Sequence, residues 1–358
     1  MDEISYTPKM PLLPRPVFVI GAGGIVQDAH LPAYRLAGFP VEGILDLDKE
    51  KASGAALKFG IRTVFDSLQE MVRSAPAGVV YDMALPAHSI IRTLQQLPRG
   101  AAVLIQKPMG GSLEEAKEIL KITREKGMVA GVNFQLRYAP FINAARHIIQ
   151  QGWIGPLCDI EINVNIQTPW HLWTFLNKAP RLEILYHSIH YIDLVRNLLG
   201  EPGGIYAKTT RHPLSPDLAA VRSNIIMDYG EFIRANILTN HSHDFNGRYQ
   251  QAYIKLEGPK GAIRIHLGLL MDYPAGQADK IEYIVRREDG ESDWEPVPVE
   301  GSWFPHAFIG SMAQIMAAAE GSIDKPDNSA EDAVHTMACV EAAYRSSSMG
   351  GISPEGLL

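Results

Sequence analysis

Short apolar runs alternate with amphipathic stretches along the first third of the chain. Val17–Ile20, Val41–Leu45 and residues 78–84, 101–105 and 128–132 read as strands. Between them, Ala52, Ala55, Ala56 and Phe59 recur at i, i+3, i+4 and i+7, and Ile90, Ile91, Leu94 and Leu97 form a second stripe, the spacing of a buried helix face. Ser67 with Glu70, and Ser112 with Glu115, fit capping boxes at helix starts. Strands that alternate with helices predict right-handed crossovers and a parallel sheet covered on both faces.

The pattern changes after residue 133. From 157 to 166, Cys158, Ile160, Ile162, Val164 and Ile166 alternate with Asp159, Glu161, Asn163 and Asn165, the period of a strand with one packed and one wet face. Further strands are expected at 205–210, 221–228, 231–240, 252–257, 262–267 and 281–286, with short turns such as Gly258-Pro259-Lys260-Gly261 between some of them. Helical stretches at 308–319 and 330–346 close the chain. The fold class is therefore α/β followed by α+β, with domains at 1–133 and 134–358.

The charge balance narrows the partners. Lys plus Arg number 33 against 40 Asp plus Glu, a net charge of −7. A chain with that balance is not a phosphate-neutralising nucleic-acid binder. Its two cysteines, Cys158 and Cys339, lie outside any CxxC pattern, which excludes a disulfide framework or cysteine zinc site and suits a reducing compartment. Residues 1–10 lack the plan of a secretory signal, and no run approaches the roughly 18 apolar residues of a membrane span. A cytoplasmic protein with no membrane or nucleic-acid partner is expected.

Gly21-Ala22-Gly23-Gly24-Ile25-Val26 follows the first strand and opens a helix. Gly21 permits the tight turn, and Gly23 allows backbone to approach a pyrophosphate at the helix N-terminus. Asp46 ends the second strand 25 residues after Gly21, where an acid would take the ribose hydroxyls of a dinucleotide. No Arg follows Asp46 to receive a 2′-phosphate, so NAD is expected in preference to NADP. Gln106-Lys107-Pro108 ends the strand at 101–105, the carboxyl edge at which ligands of doubly wound sheets sit. Residues 182–199 read as one helix on which Glu183, His187 and His190 share a face beside Tyr186. That face admits three readings: hydrogen-bonded structural histidines, a metal site completed by His241 or His243, or acid–base catalysis. The metal reading lacks an HExxH pattern, and no resident metal is expected.

The order of Gly21-Ala22-Gly23-Gly24-Ile25, Asp46, Gln106-Lys107-Pro108, Asn133-Phe134-Gln135-Leu136-Arg137-Tyr138 and the His190 helix resembles the Gfo/Idh/MocA oxidoreductases over nearly the whole chain. The resemblance implies an N-terminal Rossmann domain and a C-terminal domain on a large open antiparallel sheet that forms homodimers or homotetramers. It implies NAD(P)-dependent hydride transfer at a secondary carbinol of a sugar, sugar acid, cyclitol or glycoside. Gly21, Gly23, Gly24, Ile25, Asp46, Pro86, Gln106 and Lys107 would then bind the cofactor. Lys107 and His190 would be catalytic, with His187 and Tyr186 as auxiliaries. Trp170 and Trp173 would stack on the substrate ring, and Arg137, Arg181 and Glu183 would bind its hydroxyls or a carboxylate. Two positions depart from the family's pattern: Gln106 stands for Glu in Glu-Lys-Pro, and Tyr186 for Asp in Asp-x-x-x-His. Those losses support two alternatives, a non-catalytic nucleotide- or sugar-sensing protein and a metal-assisted or redox-neutral lyase or isomerase.

Overall fold

The computed structural model describes residues 4–273, 275–287, 290 and 292–357. Fourteen strands are described: β1 Val17–Ile20, β2 Val41–Leu45, β3 Thr63–Val64, β4 Val80–Met83, β5 Ala102–Ile105, β6 Val129–Val132, β7 Asp159–Asn165, β8 Gly204–Thr210, β9 Arg222–Asp228, β10 Arg234–Asn240, β11 Gln251–Gly258, β12 Gly261–His266, β13 Lys280–Val285 and β14 Glu295–Pro296. The α-helices are α1 Leu31–Ala37, α2 Lys49–Phe59, α3 Leu68–Arg73, α4 Ala87–Gln96, α5 Leu113–Glu125, α6 Pro140–Gln150, α7 Ile189–Leu199, α8 Ala307–Glu320 and α9 Ala330–Met349. They form two compact units. One is built from residues 5–144 and 300–337, the other from 145–299 and 338–358 together with the first residues of the chain. Residues 300–337 belong with the first of these units.

In the α/β unit six parallel strands run in the order β3-β2-β1-β4-β5-β6. Chain order reverses between β1 and β4, the switch point at which open sheets take ligands. Every residue of β1, β4 and β5 is buried, as strands covered on both faces must be. Phe308, Met312, Ile315 and Met316 of α8 share a core with Val17, Val19, Ile44 and Leu104. Both capping boxes form in a shifted version. Ser67 and Ser112 accept from the N–H of Glu70 and Glu115, but the glutamates reach back to the N–H of Asp66 and Gly111, one residue before the cap. A π-turn at Val26–His30 precedes α1, where Pro32 has no N–H to donate and Leu31 N–H bonds the Val26 carbonyl instead.

In the other unit eight strands run in the order β14-β13-β12-β11-β7-β10-β9-β8. The sheet is antiparallel except where β7 pairs β10 in parallel. Ile160, Ile162, Val164, Ile225, Ile237, Ile254 and Leu256 are buried on its inner side. The predicted helix at 182–199 is in fact a π-turn, Ile184–Ser188, leading into α7.

Candidate active site

The glycine turn lies at the carboxyl end of β1, and its geometry explains its glycines. Gly21 has φ +108°, and a Cβ there would meet the Ala84 carbonyl oxygen at 2.4 Å. No side chain fits. Gly23 is the opposite case: nothing lies within 4 Å of where its Cβ would be, so the space over the turn is open. A bare turn opening a helix beside the switch point fits a pyrophosphate. Asp46 is tied into the same structure, accepting from Ala22 N at 2.6 Å and Asp48 N at 2.8 Å. It braces the turn against the end of β2, a role that the sequence reading had not given it. Ile25 continues the turn and Pro86, exposed, caps α4.

Lys107 follows β5, joined to Pro108 by a cis peptide. It is half-buried, and desolvation draws its amine down to about 8. Its neighbour Gln106 is held from beneath by a buried polar chain. Gln106 Oε1 accepts from Asn133 Nδ2 at 2.9 Å, and the same Asn133 nitrogen lies 3.4 Å from His30 Nε2. His30 Nδ1 is 2.7 Å from Asp82 Oδ2, which also accepts from Tyr34 Oη at 2.8 Å. Burial first, then the Asp82 charge and hydrogen bond, raises the Tyr34 phenol far above its ordinary range. Asp82 stands inside an otherwise apolar strand with one carboxylate oxygen, Oδ2, held by both His30 and Tyr34.

The second set of groups lies in the sheet unit. The π-turn places Glu183 and Ser188, five residues apart, within reach, and Ser188 Oγ donates to Glu183 Oε1 at 2.6 Å. Glu183 is 1% exposed. His241, just beyond β10, approaches the same oxygen at 3.5 Å, and its Nδ1 lies 2.8 Å from Thr168 Oγ1. Burial pushes the Glu183 carboxyl up, but the hydrogen bond and charge of His241, with Ser188 and Ser223, outweigh it and hold the carboxyl below its ordinary value. The His187 and His241 rings pack with centroids 4.6 Å apart, and Trp170 sets an edge against each. Trp173 lies against His187 and Tyr273. His190, on the first turn of α7, is buried, while Tyr186 and His187 are half-buried.

Two expected substrate-binding residues are committed elsewhere. Arg137 is 1% exposed, and its guanidinium donates to the Asp327 carbonyl at 2.6 Å and to the Asp332 carboxylate. It locks residues 327–332 into the α/β unit. Glu183 is sealed under His241 and Ser188. Arg181 pairs with Glu341, lies over the Tyr344 ring and lines a cavity of about 350 Å³ with Thr209, Ala219 and Arg345. Among the described residues no group of three or more His, Cys, Asp or Glu is arranged to hold a metal ion. Nor is any described helix long and apolar enough to cross a membrane. The sequence reading missed Asn133, His30 and Asp82 beneath Gln106, and knew His241 only as a metal-ligand alternative.

Comparison with known proteins identifies the family to which the chain belongs. The model of an oxidoreductase family with an NAD-binding Rossmann fold matches residues 16–134, and that of the family's C-terminal alpha/beta domain matches 146–353. The chain belongs to this family, Gfo/Idh/MocA, and residues 16–134 are its NAD-binding fold. It is 24% identical to 1,5-anhydro-D-fructose reductase of Ensifer adhaerens, over 93% of this chain and 96% of the relative. It is 24% identical to D-apiose dehydrogenase of Paraburkholderia graminis, over 93% and 87%. The crystal structure of an oxidoreductase from Agrobacterium radiobacter, in complex with NAD+, L-tartaric acid and magnesium, superposes with a TM-score of 0.77 at 19% identity, over 97% of this chain and all of that one.

Proposed function

We propose that the protein is an NAD-dependent dehydrogenase acting on a secondary carbinol of a sugar, sugar acid, cyclitol or glycoside. One observation carries the reading: a lysine at the carboxyl end of β5, in an NAD-binding Rossmann unit, has its amine lowered to about 8 by burial. An amine so poised gives up or takes a proton near neutrality, whereas an ordinary lysine stays charged. The bare Gly21–Gly24 turn would hold the pyrophosphate, and Asp46, Ile25, Pro86 and Gln106 would line the remaining cofactor path. The nicotinamide supplies the hydride acceptor when bound. The family resemblance supports, in the α/β unit, Lys107 as the hydrogen-bond partner of the reacting oxygen and, in the sheet unit, His190 and His187, with Tyr186 beside them, as acceptors of its proton. Trp170 and Trp173 offer faces and edges for a ring with one apolar side. The relatives named 1,5-anhydro-D-fructose reductase and D-apiose dehydrogenase support the sugar part of that substrate class. A panel of sugars, sugar acids, cyclitols and glycosides scored by NADH absorbance, with product mass, tests it. No reduction of NAD by any member, under conditions in which NADH binds, sinks the reading.

The same proposal extends to assembly. The outer side of the eight-stranded sheet carries exposed Tyr206, Ile226 and Leu238 beside an ion-pair set of Arg234 and Lys255 with Asp159 and Glu161. Apolar groups in register on an open sheet face favour a second copy of the chain as cover. Light scattering should give a homodimer or homotetramer, and Ile226→Lys should dissociate it; a monomeric wild-type protein refutes this. The free Cys158 and Cys339 suit the cytoplasm.

A further inference from the structure

The acid missing at Tyr186 has a counterpart three residues earlier. Glu183 is a buried carboxylate held ionised, and its charge is felt around it: burial first, then that charge, raises the phenols of Tyr191 in α7 and Tyr344 in α9. His241 faces it through Nε2 and faces Thr168 through Nδ1. Held between the carboxylate and the Thr168 hydroxyl, the ring is fixed in orientation. His241 is 2% exposed and so out of reach of a substrate. Its ring, however, packs on His187, which is half-buried.

We propose that Glu183 and His241 are positioning residues that make His187 the proton acceptor of the reaction. The inference rests on the dehydrogenase reading. In the step, the substrate O–H bond would break and an N–H bond would form on His187, while a bound nicotinamide would supply the acceptor for the carbinol hydrogen and its electron pair. The imidazolium created on His187 lies one ring away from the Glu183 carboxylate, which stabilises it. The π-turn is what makes this possible. It seats Glu183 on Ser188 and beside His241, where an uninterrupted helix would have kept its carboxylate on the same face as His187. Among the described residues, His187, Tyr191 and Tyr344 are ionisable groups about Glu183 and His241, with Arg181 and Tyr186 acting on Tyr344; Thr168, Ser188 and Ser223 are neutral partners.

The test is an NMR titration of histidine-labelled full-length protein, with kinetics in parallel. Glu183→Gln should lower the midpoint of the His187 ring by about one pH unit, the size of effect expected from loss of a nearby opposite charge. It should lower kcat about tenfold, carry the acid limb of the kcat profile to lower pH, and leave NADH affinity unchanged. Thr168→Val, which keeps the carboxylate and frees the His241 ring, should move the midpoint in the same direction by less. A His187 midpoint unmoved in both folded variants, with only melting temperature changed, overturns the inference and leaves the dehydrogenase reading standing. A midpoint that moves as expected in a protein that turns over no substrate overturns the dehydrogenase reading, and with it the catalytic role of His187, but not the Glu183–His241–His187 coupling.

Discussion

The glycine turn and the histidine–tryptophan cluster are built in opposite ways. Around Gly21 the geometry is local: strand, turn and helix follow one another within ten residues, and Asp46 comes from the adjoining strand. Around His187 the partners come from positions 168, 170, 183, 223 and 241, on three strand ends and a π-turn. A local device declares itself in spacing, because the chain has no other way to make that turn. A site assembled at long range declares only its residue types.

The comparison can be broken most sharply at Lys107. Lys107→Ala should lower kcat by about 10²- to 10⁴-fold, the usual worth of a positioned proton-transfer group, while NADH affinity stays within a few-fold. Turnover unchanged with the best substrate of the panel would remove Lys107 from the chemistry. Next come the two glycines, which separate folding from binding inside the local device. Gly21→Ala should lower the melting temperature by roughly 5 °C or more, since the left-handed backbone alone costs about 1–2 kcal/mol and the Ala84 carbonyl stands in the way. Gly23→Ala should leave melting unchanged and weaken NADH by about tenfold, because the new methyl occupies only the space of the ligand. Equal melting losses in both would refute that division.

The smallest effect is a pH shift. Oxidation in which the neutral Lys107 amine accepts the hydrogen bond of the substrate hydroxyl, and so orients it for loss of its proton, should gain rate as pH rises through about 8. Gln106→Glu puts an anion beside the ammonium, favours the charged form and moves that limb to higher pH by about one unit. A limb that stays in place, or moves to lower pH, would show that Gln106 does not set the amine.

Most strands of both sheets, all but the two-residue edge strands β3 and β14 that are too short to show a period, were legible from period and burial demand, and so was the nucleotide turn. Arg137 and Glu183 were not. Both were read as substrate ligands, yet Glu183 meets His241 and Ser188, and Arg137 closes on Asp327 and Asp332, nearly two hundred residues away. Their pairing depends on tertiary contacts that no spacing encodes. Asp82 lay inside a predicted strand, but its partner His30 sits 52 residues earlier and had no signature. The π-turn at 184–188 escaped for another reason: it inserts one residue per turn without changing the apolar stripe of Leu185, Ile189, Ile192 and Val195, all of which are buried. Periodicity reports which side is dry, and the slip occurred on the other side.

Helix α8 bears on how the molecule is made. Its Phe308, Met312, Ile315 and Met316 complete a core begun by Val17 and Val19, so a ribosome must synthesise most of the chain before the nucleotide-binding half can close. Contacts of such sequence separation slow folding and leave the early strands waiting with apolar surface uncovered. A fragment ending at 133 would carry the entire glycine turn and yet lack the helix that shields its sheet. A chain that includes α8, rather than that fragment, is the piece from which a well-behaved cofactor-binding domain should be sought.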